Sequence, residues 1–103
     1  MGSKEKKIGN TDLIELTGMV KALAHPSRVT IVYMLCRSQG KKMTVKEIYK
    51  ELKMAQPVIS RHLSILKNSG LLLRNAEGNS TYYILNENNK TAVHIVNCFL
   101  SLW

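Results

Sequence analysis

The chain of 103 residues lacks the features that mark secreted, membrane-bound or disulfide-stapled proteins. Its two cysteines, Cys36 and Cys98, are too few for a disulfide framework and form no CxxC pair. No apolar run approaches the ~20 residues of a membrane span, and no apolar signal segment follows the charged N-terminus. Lys6 stands where the myristoylation pattern needs Ser or Thr. We therefore expect a soluble cytoplasmic protein with no membrane partner.

The residues of an enzyme's active site are also missing. The sequence shows no nucleophile–base constellation, no phosphate-binding glycine loop and no cluster of acidic residues. We predict that the chain is not an enzyme and needs no cofactor. Its hydrophobic share of 45% excludes a disordered chain and suits one small domain.

Acidic residues are scarce, and basic residues outnumber them to a different degree in different parts of the chain. The net charge is +8, and residues 41–70 carry seven Lys/Arg against two acidic residues. Residues 1–40 carry six against three, and residues 71–103 balance at two and two. The excess of basic residues is therefore largest in residues 41–70, as expected if this segment binds a polyanion. A solvated lysine-rich surface is the alternative interpretation.

Two helices are predicted in the first third of the chain. The first covers residues 11–24, where apolar side chains recur at helical spacing: Leu13, Leu16, Val20 and Leu23. Pro26 starts the second helix, because proline suits the first helical turn. Residues 38–42 are predicted to form a loop.

A helix-turn-helix is predicted over residues 44–68. Thr44 and Glu47 have the spacing of a capping box that opens a short helix. A three-residue connection follows, and Gln56 and Pro57 begin the next helix, which ends before Gly70. Helical geometry places Ile59, Leu63 and Leu66 on its buried face, His62 at the edge, and Pro57, Ser60, Arg61, Ser64 and Asn68 on the far side.

A β-hairpin and a final helix complete the predicted fold. Residues 71–75 and 81–85 read as strands joined by a loop with Gly78, and residues 88–103 read as a helix. The order is α-α-α-α-β-β-α, a mainly α winged helix-turn-helix with a small β-hairpin. We expect a flexible tail over residues 1–10 and one domain over residues 11–103, with its wing at residues 71–85.

Two segments of this chain resemble the ArsR/SmtB family of bacterial winged-helix repressors. KALAHPSRVTIVYML, residues 21–35, is similar to the family's entry into its second helix. QPVISRHLSILKNSGLL, residues 56–72, is similar to its recognition helix and the lead into the wing. Arg74 and the pair Tyr82-Tyr83 also fit the wing, so the resemblance covers roughly residues 12–100.

This resemblance implies a homodimeric repressor that binds an imperfect palindrome until an inducer arrives. The first and last helices, residues 11–24 and 88–103, would join the protomers. Their apolar surface exceeds what one small domain easily buries, which independently indicates an interface. The expected interface residues are Leu13, Leu16, Val20, Val96, Phe99, Leu100 and Trp103.

The expected partner is double-stranded DNA. Arg61 can fork onto guanine or bind phosphate, and Ser60 can bond base edges or phosphates. His62 instead suits a packed residue that seats the helix. The wing tip can reach a minor groove, although a plain hairpin turn would look the same. The candidate contacts are Gln56, Pro57, Ser60, Arg61, Ser64, Lys67, Thr44, Lys46, Arg74 and Asn79.

The sequence leaves the effector open. The metal-binding cysteine pair of many relatives is absent from TVKEIYKEL, residues 44–52. His94 and Cys98 have i,i+4 spacing and could place two ligands on one metal, although such a pair is more often structural. Some relatives use one cysteine on the second helix and one on the last as an oxidant switch. Cys36 and Cys98 lie on those helices, but each about one turn from the expected place, and two buried inert thiols are the alternative interpretation.

A different class of function fits the same fold. A winged helix can serve as a protein-interaction module without a specific DNA target. Its binding to any polyanion would then be weak and steeply dependent on salt. Mutation of Ser60 and Arg61 should distinguish the two classes, because only a specific interaction depends on that face.

Overall fold

The computed structural model describes residues 10–102, and the side chains from residue 12 onward. The remaining residues, among them most of the predicted N-terminal tail and Trp103, lie outside this range. The elements in chain order are α1 (Asn10–Leu23), α2 (Pro26–Arg37), a 3-10 turn (Gln39–Lys41), β1 (Lys42–Thr44), α3 (Val45–Leu52), α4 (Gln56–Asn68), β2 (Leu72–Glu77), β3 (Ser80–Leu85) and α5 (Lys90–Leu100). The predicted winged helix-turn-helix is confirmed.

The helices surround one apolar core, and α4 contributes the most to its centre. Ile59, Leu63 and Leu66 are fully buried, as the helical spacing predicts. They pack with buried residues of every other helix, including Met19, Ile31, Ile48 and Val96. Burying such a side chain contributes roughly 1.5–3 kcal/mol, so this contact fixes the position of α4 firmly. Within residues 10–102 no helix is long and apolar enough to cross a membrane.

The helix-turn-helix begins with the predicted capping box. The Thr44 hydroxyl accepts the Glu47 amide, while the Glu47 carboxylate accepts the Thr44 amide. These bonds satisfy amides that a helix start leaves unpaired. At the other end of α3, Lys53 has a φ of 55° and ends the helix in the left-handed conformation. The chain then turns directly into α4.

The sheet has three antiparallel strands in the order β1-β3-β2, one more than the hairpin predicted from sequence. Lys42 pairs with Ile84 and Thr44 pairs with Tyr82. The prediction of a loop through Lys42 was wrong at this end. A strand of three residues is too short to show alternation, and its partner lies some 40 residues later in sequence.

The hairpin turn is also tighter than predicted. Glu77 pairs with Ser80, so Gly78 and Asn79 alone form the turn, where a loop over residues 76–80 was expected. Gly78 has a φ of +59°, a conformation that glycine adopts without steric cost at the first position of such a turn. Strand pairing therefore continues to the tip of the hairpin.

Candidate nucleic-acid interface

An open groove of about 730 Å³ lies between the start of α3, one face of α4 and the hairpin. Polar and basic side chains supply most of its wall. Its lining residues are Thr44, Val45, Lys46, Tyr49, Gln56, Ser60, Ser64, Lys67, Arg74, Asn79, Ser80, Thr81 and Tyr83. The groove is therefore formed by the helix-turn-helix and the wing together.

The charge of the groove is of one sign. Lys46 comes from α3, Lys67 from α4 and Arg74 from β2, and no carboxylate is among the lining residues. Three cations from three elements converge on one concave surface, which raises the local concentration of anions. Two of the seven basic residues counted over residues 41–70, Lys46 and Lys67, line this groove.

One stripe of α4 faces the groove. Gln56, Ser60, Ser64 and Lys67 follow each other at spacings of four, four and three, so they lie along one side of the helix. The apolar face beside this stripe is buried in the core, which prevents α4 from rotating. The packing of α4 therefore fixes which side of the helix faces the groove.

Eight of the ten predicted contact residues line this groove, and Pro57 and Arg61 do not. Arg61 is exposed and lies about 100° around α4 from Ser60. It occupies the crest of the helix, opposite the buried face, rather than the side toward the wing. Pro57 lies in the first turn of α4 and is also exposed.

Sequence reasoning missed several residues of the groove. Thr81 and Tyr83 lie two residues apart on β3 and share one face of the strand. The two-residue period of a β-strand was the sequence signal that could have found them. Tyr49 was missed as well, and it follows Val45 by one turn of α3, so both side chains reach the same wall.

The capping box limits what Thr44 can do. Its hydroxyl already accepts the Glu47 amide and donates to the Glu47 carboxylate at 3.0 Å. Hydrogen bonds from the Thr44 amide and hydroxyl lower the pKa of the Glu47 carboxyl. The anion-binding start of α3 is thus occupied by a carboxylate of its own chain, and Lys46 is the better group for a phosphate there.

The acidic group at the wing tip is neutralised. The Lys42 Nζ lies 3.1 Å from a carboxylate oxygen of Glu77 and 4.6 Å from the centroid of the Tyr82 ring. This interaction joins β1 to both strands of the hairpin. It also removes a negative charge that would repel a phosphate backbone near Asn79.

The two cysteines are free. Burial raises the pKa of the Cys36 thiol, the nearby Lys41 opposes this shift, and Glu87 adds to it. Cys98 is exposed on α5, one turn after the exposed His94. Among residues 10–102 there is no group of three metal-ligating side chains. The metal and oxidant hypotheses for His94, Cys36 and Cys98 remain predictions.

The predicted dimer surface is apolar on α1 but needs one correction on α5. Leu13, Leu16 and Val20 are between 36% and 46% exposed. Val96 is only 1% exposed and packs in the protomer's own core, so it is not available to a partner. Phe99 and Leu100 are half-buried against the same core.

Comparison with known proteins identifies the family. Residues 25–72 match the family described as "Bacterial regulatory protein, arsR family". An uncharacterized HTH-type transcriptional regulator of Methanocaldococcus jannaschii is 38% identical over 77 residues, which are 74% of this chain and 84% of that protein. The transcriptional repressor PagR of Bacillus anthracis is 33% identical over 80% of both chains.

Solved structures agree with this fold. The PagR crystal structure superposes with a TM-score of 0.75 over 87% of this chain and 98% of that one, at 30% identity. A homodimeric winged helix-turn-helix DNA-binding domain from Mycobacterium bovis gives a TM-score of 0.76 at 21% identity, over 95% of this chain and 89% of that one. The chain belongs to the ArsR family of bacterial regulatory proteins, which are not enzymes.

Proposed function

We propose that the protein is a homodimeric transcriptional repressor that binds specific double-stranded DNA. The observation that carries this proposal is the groove, because it combines three cations with a rigid polar stripe of α4. In this arrangement α4 enters the major groove and the wing tip reaches the flanking minor groove. Chromosomal DNA as the target also places the protein in the cytoplasm.

The roles within the interface follow from position. Gln56, Pro57, Ser60 and Arg61 lie in the first half of α4, which enters deepest and can meet base edges. Lys46, Lys67 and Arg74 stand at the walls of the groove, where phosphates would pass. Ser64, Thr44 and Asn79 complete the polar lining. Arg61 projects from the crest of α4 and suits a guanine.

The apolar face of α1 supports the dimer. Leu13, Leu16 and Val20 recur at spacings of three and four, which makes a continuous stripe on the helix that contacts α5. The homodimeric domain from Mycobacterium bovis has the same fold. A two-fold axis through this face gives two copies of α4, so the bound sequence is an imperfect palindrome.

Release by an inducer completes the proposal. His94 and Cys98 are exposed beside the expected interface, where a metal bound between protomers would change their packing. Cys36 and Cys98 are the candidate pair for an oxidant. We therefore place induction at α5, away from the DNA-binding face.

Selection of duplexes from a random or genomic pool at about 150 mM salt tests the proposal. We expect enrichment of a palindrome whose half-sites lie about one helical turn apart. The double variant Ser60→Ala with Arg61→Ala should lose this enrichment. Only general, salt-sensitive binding by the unchanged protein would instead favour the protein-interaction module.

A further inference from the structure

Within the described side chains, His62 is the buried polar residue, and it belongs to the helix that faces the groove. It is 8% exposed and lies on the same face of α4 as Ile59 and Leu66. Core packing alone does not require an imidazole there. Its hydrogen-bond partner therefore carries the information about its role.

Arg28 joins His62 to two other helices. Its Nη1 lies 3.2 Å from the Nδ1 of His62, and its Nε donates to the carbonyl oxygen of Ala22 in α1. A guanidinium can only donate, so the Nδ1 of His62 must accept and the ring's own proton stands on Nε2. Arg28, a residue of α2, thus connects α1, α2 and α4 only while His62 is neutral.

The surroundings of His62 are positive. The ring of His25, between α1 and α2, contacts the His62 ring at a tilt of 53° with the centroids 4.6 Å apart, and its Nδ1 accepts a hydrogen bond from the Ser27 amide. Arg28 of α2 and Arg61 of α4 are the charged groups nearby. Among residues 10–102 no carboxylate forms an ion pair with Arg28. Burial first, and then His25, Arg28 and Arg61, lower the pKa of His62.

We propose that His62 is a proton-sensitive positioning residue that holds the DNA-binding helix in place only in its neutral form. A second proton on the ring removes the acceptor for Arg28 and sets a cation against that guanidinium. The contact between α4 and the α1–α2 connection then weakens. This inference rests on the proposed function of α4, and it predicts that acidification weakens specific DNA binding.

The direction of this effect distinguishes it from general electrostatics. The pKa of His62 in the folded protein lies below its ordinary value of 6.5, so the stabilisation is complete above that pH. It is lost as the pH falls from there through the folded-state pKa. Added positive charge on a DNA-binding protein would otherwise tighten binding to phosphates. Weaker binding in acid is therefore specific to a positioning role.

The affinity for a selected duplex should be measured from about pH 7.5 to about pH 5.5 at constant salt, in the full-length protein. The dissociation constant should rise on acidification, by at most about tenfold per pH unit for one proton. His62→Asn keeps an acceptor near the Nδ1 position but does not titrate, so its binding should lose this rise.

His25→Asn assigns the effect within the cluster. Asparagine also caps helices, so this variant keeps the start of α2. It should keep a pH dependence, moved to higher pH because His25 no longer lowers the pKa of His62. Identical pH dependence in wild type and His62→Asn would overturn the inference, as would a dependence that disappears only in His25→Asn. Absence of any specific binding at pH 7.5 would instead reject the proposed function.

Nuclear magnetic resonance of the unchanged protein decides the case where His62→Asn fails to fold. The ring signals of His62 and His94 can be titrated with and without the selected duplex. DNA should shift the His62 titration to lower pH, because binding favours the neutral ring. A shift to higher pH for His62 would overturn the inference, since nearby phosphates alone produce that direction.

Discussion

The groove and the outer face of α1 are both exposed, but different forces would drive binding to each of them. The groove holds three cations and no carboxylate, whereas Leu13, Leu16 and Val20 give α1 an apolar stripe. Binding of a polyanion in the groove weakens as salt rises, while burial of the stripe does not depend on salt in that way. The effect of salt concentration therefore distinguishes DNA binding by the groove from dimerisation through α1.

The largest expected effect comes from the apolar face. Leu16→Glu together with Val20→Glu should dissociate the dimer, because two carboxylates would be buried at the interface. Loss of the second half-site should then weaken binding to the palindrome by on the order of 10²-fold or more. Sedimentation and fluorescence anisotropy measure the two effects. Lys21→Glu serves as the control, because Lys21 is exposed on the same helix and lies about 80° or more around it from each stripe residue. A double variant that stays dimeric contradicts the interface.

The next effect tests whether the crest of α4 reads a base. Arg61→Ala should cost roughly 1–3 kcal/mol in binding to the selected duplex and relax preference at one base pair. Its stability should hardly change, because Arg61 is exposed. Titration against duplexes with each base at that position gives the answer. Unchanged affinity would confine recognition to the side of α4 that lines the groove.

The third effect concerns the capping box that holds the start of α3 beside the groove. Thr44→Ala removes the cap of α3 and should cost about 1 kcal/mol in the free energy of unfolding. Because hydrogen bonds lower the pKa of Glu47 below its ordinary 4.5, their stabilisation exists above that pH and disappears as the pH falls through the folded-state value. Urea unfolding at neutral and acid pH should show this dependence in wild type. A Glu47→Gln variant with the same loss of stability below pH 4.5 as wild type would assign that loss elsewhere. The loss predicted for His62 begins below pH 6.5 and is present in both proteins.

The smallest effect concerns one phosphate contact. Lys46→Ala should lower the slope of log affinity against log salt by about one, with nearly equal losses for all sequences. Lys50→Ala is a matched control, because Lys50 is exposed one turn later on α3 and does not line the groove. Equal slopes for the two variants would remove Lys46 from the DNA-binding surface.

Much of this fold is readable from short-range patterns. The capping box at Thr44 and the buried face of α4 each depend on spacings within one helix, and both are found as predicted. β1 is missing from the prediction because its pairing is long-range and its length gives no period. Val96 was misplaced because a single helix wheel cannot tell a core-facing residue from an interface-facing one.

The candidate site also has parts that follow from spacing within one helix and parts that arise only from long-range packing. Ser60 and Ser64 share a helix, so their alignment follows from sequence, whereas Thr81 and Tyr83 join them only through the packing of the wing. The contact between Arg28 and His62 spans 34 positions and involves no ion pair. No spacing rule could find it, because it exists only once α2 and α4 have packed.

Gly70, just after α4, is a position where substitutions should abolish repression without touching DNA. Its φ is +93°, and a β-carbon there would lie 3.2 Å from the Cε of Met19 in α1. Almost any substitution would therefore strain the backbone and press the end of α4 against the helix of the expected interface. In a screen for loss of repression, we expect changes at Gly70 to recur alongside those at Arg61, even though Gly70 would touch neither DNA nor a second protomer.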